Sequence, residues 1–190
     1  MRLLVDAAGR SQLWLAAMLG NLDEVQSLLL SGWAALIDLQ CAKGMSPLWA
    51  ACQHGRLEVV HVLLSAGALV DLQDNDGASP LVIACQNGHA EVVRALLAAG
   101  ANPNLQAKGG ASPLFMASLN GHLAAVQALL STGCVQVSLQ CELGISPFWA
   151  ACQNGHTEVV RALLAAGSPV DLQANLGASP LWVACRDGRI

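Results

Sequence analysis

The sequence predicts an all-α solenoid, a stack of helix-turn-helix units joined by β-hairpin fingers, filling one domain over residues 1–190. Three observations carry that expectation. Ser-Pro recurs at Ser46, Ser79, Ser112, Ser146 and Ser179, with spacings of 33, 33, 34 and 33 residues. Leu-Gln recurs in the same rhythm at Leu39, Leu72, Leu105, Leu139 and Leu172, and four residues after each Gln stands a glycine, at Gly44, Gly77, Gly110, Gly144 and Gly177. Finally, 54% of the chain is hydrophobic and only 12% charged, against roughly 25% charged in ordinary soluble domains. Such a chain must bury apolar surface, and a fixed period of about 33 residues is how a stack of small units does so.

The copies follow in order. Ser11, without a following proline, opens the first, and its extra two residues fall in Trp33 to Asp38. The repeats run approximately over 4–38, 39–71, 72–104, 105–138 and 139–171, with a truncated sixth over 172–190. In the third, Ser79 is placed to cap a helix whose first residue is Pro80, where the missing N–H costs nothing and the fixed φ helps. That helix should end near Gly88. A second, His89 to Ala99, sets Val93, Leu96 and Leu97 on one face and Glu91 three residues before Arg94 on the wet one. Gly100 then stops it with a left-handed cap. Ala101 to Gly110 has turn residues without helical periodicity and reads as an extended hairpin to the next copy.

The string Gly-x-Ser-Pro-Leu-x-x-Ala-Cys-Gln-x-Gly-His-x-Glu-Val-Val-x-x-Leu-Leu-x-x-Gly-Ala resembles the ankyrin repeat over nearly the whole chain. The departures are systematic. Serine stands for the family's threonine before each proline, keeping the capping hydroxyl. The family's histidine is replaced by Trp14, Trp49, Val82, Phe115, Trp149 and Trp182, a column expected to pack between copies rather than to form a ligand box. Cysteines form another column at Cys52, Cys85, Cys152 and Cys185, interrupted by Ser118; helices stacked about 8–10 Å apart keep them beyond disulfide reach.

Composition and spacing exclude several chemistries. The net charge is -4 and the nine Lys and Arg never cluster, so the basic stripe that nucleic acid requires is missing. The uncharged stretch Gly109 to Cys141 is broken by Ser112-Pro113 and Asn120-Gly121-His122, leaving apolar runs far below the ~20 residues of a membrane span, so no membrane insertion is expected. No secretory signal is visible, and an odd cysteine number suits a reducing compartment: a cytoplasmic location is expected, with the nucleus open as well. Cys85 with His89 and Cys152 with His156 look like half a zinc site, but no second pair faces either. No metal or cofactor is expected. Glu58, Glu91 and Glu158 lie a repeat or more apart, no nucleophile has a base, and no enzymatic activity is expected.

The resemblance implies a concave partner-binding face of finger tips and first-helix ends. Carried over, it comprises Met45, Asn75, Asp76, Lys108, Leu143, Ile145 and Leu176 on the fingers, with Gln53, His54, Gln86, Asn87, Leu119, Asn120, Gln153 and Asn154 on the helix ends. Amides can both donate to and accept from an extended peptide backbone, beside apolar tips at Met45, Leu143, Ile145 and Leu176. The expected function is a scaffold or adaptor for a protein partner. The alternative is a targeting or regulatory segment of a larger enzyme or membrane protein. Asn104 is similar in its setting to the asparagine that asparaginyl hydroxylases modify in ankyrin repeats, with Leu96 eight residues upstream; the plainer reading is a finger residue bonded to its own loop. The sixth copy stops before a second helix, which is expected to uncover Leu181, Val183 and Ala184, to let that end fray, and to favour self-association there.

Overall fold

The computed structural model describes residues 5–175, 177–186 and 188, with the backbone alone at Trp33. Among the described residues eleven α-helices follow, ten of them in pairs: α1 Gln12–Leu19 and α2 Leu22–Leu30; α3 Pro47–Gln53 and α4 Leu57–Ser65; α5 Pro80–Asn87 and α6 Ala90–Ala98; α7 Pro113–Leu119 and α8 Leu123–Leu130; α9 Pro147–Asn154 and α10 Thr157–Ala165; then α11 Pro180–Arg186. First helices pack on first helices, α1 on α3 on α5 on α7 on α9 on α11, and second helices on second helices from α2 to α10.

Local chemistry starts each unit. The hydroxyls of Ser11, Ser46, Ser79, Ser112, Ser146 and Ser179 accept the backbone N–H three residues on, at 3.0–3.2 Å. The first five of these serines are buried, so each satisfies an N–H with no access to water; such a cap contributes about 1 kcal/mol. The first helices are apolar on nearly every side because both flanks and the second helix cover them. The second helices keep a wet face, where Glu91 pairs with Arg94 and Glu158 with Arg161. On α6 the buried side chains are Val92, Val93 and Leu96; Leu97, expected on that face, is only half-buried. The two extra residues of the first copy are taken up by a 3-10 turn, Trp33–Leu36.

The fingers differ from the expected hairpins. Each is a single tight turn: in 41–45, the Cys41 N–H donates to the Met45 carbonyl at 3.1 Å and the Gly44 N–H to the Cys41 carbonyl at 2.8 Å. Among the described residues no strand forms, only an isolated bridge between Val5 and Ser11. Successive fingers are joined by one main-chain bond each, from Asn75 to Lys43, Lys108 to Asp76, Glu142 to Gly109 and Asn175 to Leu143. One bond per step cannot propagate a ladder. A glycine is required at Gly44, where φ is +79° and a Cβ would stand 2.6 Å from the Asn75 backbone nitrogen.

A glutamine at each of four finger bases ties neighbouring repeats together. Gln73 Nε2 donates to its own Gly77 carbonyl at 2.5 Å and across the repeat to the Gln106 carbonyl at 3.2 Å. Gln106 repeats this toward Gly110 and Gln140, as do Gln40 toward Gly44 and Gln73 and Gln140 toward Gly144 and Gln173. The recurrent Leu-Gln is therefore a continuous amide ladder. A second set of ties runs along the helix turns. His89, His122 and His156 donate through Nε2 to the carbonyls of Gln53, Gln86 and Leu119 at 3.1 Å, and Arg56 Nε reaches the Met18 carbonyl at 3.2 Å in the same role.

The aromatic column packs between copies at Trp14, Trp49, Val82, Phe115 and Trp149, all buried. Trp182 departs from it at 52% exposure, with the Arg186 guanidinium over its ring at 4.9 Å. The expected uncovering of α11 is likewise corrected: Val183 and Ala184 are buried against α9, whereas Leu181 and Trp182 are the exposed pair.

Candidate functional site

The predicted face is assembled from consecutive fingers and the C-terminal ends of the first helices. Met45, Gln53, Asn75, Asp76 and Gln86 line one groove of about 550 Å³ between the 41–45 and 74–78 fingers, together with Trp49 and Ile83. Leu119, Asn120, Leu143, Ile145, Gln153 and Asn154 belong to later repeats and lie outside it. Lys108 sits on the next finger, its Nζ 3.9 Å from Asp76 Oδ1; with both side chains well exposed this pair adds little. Leu176 lies outside the described residues.

The apolar tips are fewer than the sequence suggested. Met45 and Ile145 are half-buried and pack against the core, because the side chain after each finger glycine turns inward ahead of the capping serine. Leu143, at 67% exposure, is the open tip.

The amide ridge separates into two kinds. Asn87, Asn120 and Asn154 donate back to the carbonyls of Ile83, Met116 and Ala150, four residues earlier, at 2.8–2.9 Å, and so close their own helix ends. The side-chain amides of Gln53, Gln86 and Gln153 have no hydrogen-bond partner among the described residues, and all three residues reach solvent. His54 occupies the asparagine position in its copy and is exposed, as is His61. Asn75 donates to the Ala42 carbonyl at 3.0 Å and so joins fingers.

Asn104 is bonded to the following repeat rather than closing only its own loop. Its Oδ1 accepts the Gln136 N–H at 2.7 Å and its Nδ2 donates to the Cys134 carbonyl at 3.0 Å. Asp38 and Asp71 hold the Leu69 and Asn102 N–H groups in the same way, but a carboxylate has no donor. The loop that Asn104 faces carries one extra residue, and an amide meets both its N–H and its carbonyl.

Sequence reading missed the ties of Gln40, Gln73, Gln106 and Gln140 and of the turn histidines; their exact recurrence at the repeat period was the available signal. With Nε2 of His89 and His156 donating to carbonyls, the Cys-x-x-x-His pairs serve packing, and no metal-holding group of three ligands occurs among the described residues. Burial pushes the Cys52 and Cys85 thiols well above the usual range, and Cys152 upward as well, which holds them as inert thiols. Cys41 is buried too, whereas Cys134 and Cys185 are exposed.

The family model described as ankyrin repeats (3 copies) matches residues 2–74, 66–138 and 114–190. The chain belongs to the ankyrin-repeat family. No curated protein matches it. Ankyrin repeats are in general protein–protein interaction modules, and proteins built from them are typically non-enzymatic binding scaffolds. No helix of the described residues is long and apolar enough to cross a membrane.

Proposed function

We propose that this array binds a protein partner, as a scaffold or adaptor, on the face formed by the fingers and the first-helix ends. One observation carries the reading. Most recurrent polar side chains are committed within the chain: the serines to caps, Gln40, Gln73, Gln106, Gln140 and the turn histidines to the neighbouring repeat, Asn87, Asn120 and Asn154 to their helix ends. The amides of Gln53, Gln86 and Gln153 recur on one ridge and are uncommitted, and each offers a donor and an acceptor. An extended main chain presents the complementary alternation. Weak charge on the face favours recognition by shape and neutral hydrogen bonds over electrostatic steering. The reading is the same whether the array acts alone or as the targeting segment of a larger protein, and a cytoplasmic or nuclear setting fits its unpaired thiols.

A photo-crosslinking residue at position 86 tests this, with position 94 on the opposite, second-helix side as control. Capture of the same protein from cell extract at 86 and not at 94 supports the face. Equal capture at both, or capture only at 94, contradicts it.

A further inference from the structure

We propose that the fingers 107–111 and 141–145 frame a seat for one uncharged, apolar side chain of an extended partner segment, and that Leu119 and Leu143 select it. The proposal deepens the partner-binding reading and rests on it. The chain supplies its own comparison, because the groove between the 41–45 and 74–78 fingers has a counterpart two repeats on. The frame is the same in both. The Glu142 N–H donates to the Gly109 carbonyl at 2.8 Å as the Asn75 N–H does to the Lys43 carbonyl at 3.0 Å. Gln106 reaches the Gln140 carbonyl as Gln40 reaches that of Gln73, and α7 packs on α9 as α3 packs on α5. The lining is not the same. Lys43, Gln53, Asp74 and Asp76 line the first groove, and the residues at the same positions of the later copies are Gly109, Leu119, Cys141 and Leu143.

The exchange runs one way, from charge and amide to apolar side chains and a bare glycine, and it falls where the fold leaves the surface open. Leu143 is 67% exposed and Leu119 half-buried. Stacking does not ask for either leucine, since Gln53, Gln86 and Gln153 hold the position of Leu119, and Asp76 that of Leu143, in copies that pack alike. Charge decides what covers them. From Gly109 through Cys141 the chain carries no Asp, Glu, Lys or Arg, so a charged side chain seated there would lose hydration without gaining a counter-charge. The rim is balanced as well: Lys108 and Glu142 are of opposite sign, and Lys108 Nζ lies 3.9 Å from Asp76 Oδ1. An aliphatic or aromatic side chain gains by taking Leu119 and Leu143 out of water. Gln86 and Gln153 stand one repeat to either side of Leu119 along the ridge, and a step of about 8–10 Å corresponds to about three residues of extended chain. Main chain on both sides of the apolar anchor therefore meets an uncommitted amide.

The test uses linear dodecapeptides displayed on phage and selected on the immobilised full chain, the most enriched peptide then being titrated into the wild type, Leu119→Gln/Leu143→Asp and Gln86→Ala/Gln153→Ala. The first variant gives this seat the side chains of the other groove. It is expected to melt like wild type while weakening binding about tenfold. Peptide residues replaced singly by alanine should include one apolar residue whose loss weakens the wild type about tenfold and the first variant less than about twofold. Should the double variant melt early, Leu143→Asp alone, at the open tip, carries the same comparison. Binding weakened by Gln86→Ala/Gln153→Ala but indifferent to Leu119→Gln/Leu143→Asp would overturn the apolar seat and leave the face intact, as would a peptide in which no apolar residue is coupled to the first variant. Indifference to both variants would overturn both readings, and failure to enrich any peptide would overturn the present one.

Discussion

At the scale of single residues, the repeat exposes its own exceptions. Ser118 stands where Cys52, Cys85 and Cys152 recur, fully buried with its hydroxyl unpartnered. An orphan buried hydroxyl costs about 1–3 kcal/mol. Ser118→Cys, which restores the column at nearly constant volume, should raise the unfolding free energy by about 1–2 kcal/mol in urea titration; a lower midpoint would mean that the hydroxyl is satisfied. Asn104→Asp should act oppositely. The carboxylate keeps the bond from Gln136 but loses the donor to Cys134, so a destabilisation of about 0.5–1.5 kcal/mol is expected. Hydroxylation of Asn104 is a proposal from the resemblance alone: incubation with an asparaginyl hydroxylase should add one oxygen at this residue, and an unmodified peptide ends the idea.

At the scale of the element, legibility followed the range of the interaction. Serine caps, Pro at the first helical position and the closing glycines act within a few residues, and each left a readable mark in the sequence. The finger ladder left only the recurrence of its glutamines and nothing that names their partners, because Gln73 and its like bond to carbonyls about 33 residues away, and a carbonyl carries no side-chain identity. The expectation of hairpins failed for a related reason: turn residues announce the turn, but the single bond between successive fingers leaves no periodicity to read. On the candidate face, position 45 could be placed and its direction could not; whether Met45 points outward or into the core depends on the adjoining finger.

The first helices also make a titration prediction. Cys52 and Cys85 hold their protons well above the pH at which an exposed thiol, near 9.0, releases them. Above pH 9.0 the unfolded chain therefore binds fewer protons than the folded one, and stability falls as pH rises; below that pH these thiols contribute no slope. The loss should approach roughly 1.4 kcal/mol per pH unit per thiol. The background is low, since the chain has no tyrosine and two lysines, Lys43 and Lys108. Melting midpoints measured from pH 8 to 10.5 should fall for the wild type and fall less steeply in Cys52→Ala/Cys85→Ala, where Cys152 alone remains raised. An equal fall in both proteins would place the titration elsewhere.

For the whole molecule, stability is a sum of repeat and nearest-neighbour terms, and the side chains left outside that sum are the ones available to other molecules. On α11, Leu181 at 65% exposure and Trp182 lie open. Self-association through α11 is accordingly proposed as a second contact. Sedimentation should show a concentration-dependent rise in mass that Leu181→Glu abolishes, with amides of residues 179–186 exchanging faster than those of α5 and α6; a strictly monomeric wild type would remove it. The larger claim is that the polar groups of this solenoid divide into those that hold it together and those that bind. The most direct measurement compares the affinity of the protein captured at position 86 for two triple variants, each confirmed to melt like wild type. Gln53→Ala/Gln86→Ala/Gln153→Ala removes the uncommitted amides, and Glu58→Gln/Glu91→Gln/Glu158→Gln alters the opposite, second-helix side. A loss of at least about tenfold in the first, with the second unchanged, is the predicted result; an unchanged first variant, or a weakened second, would contradict it.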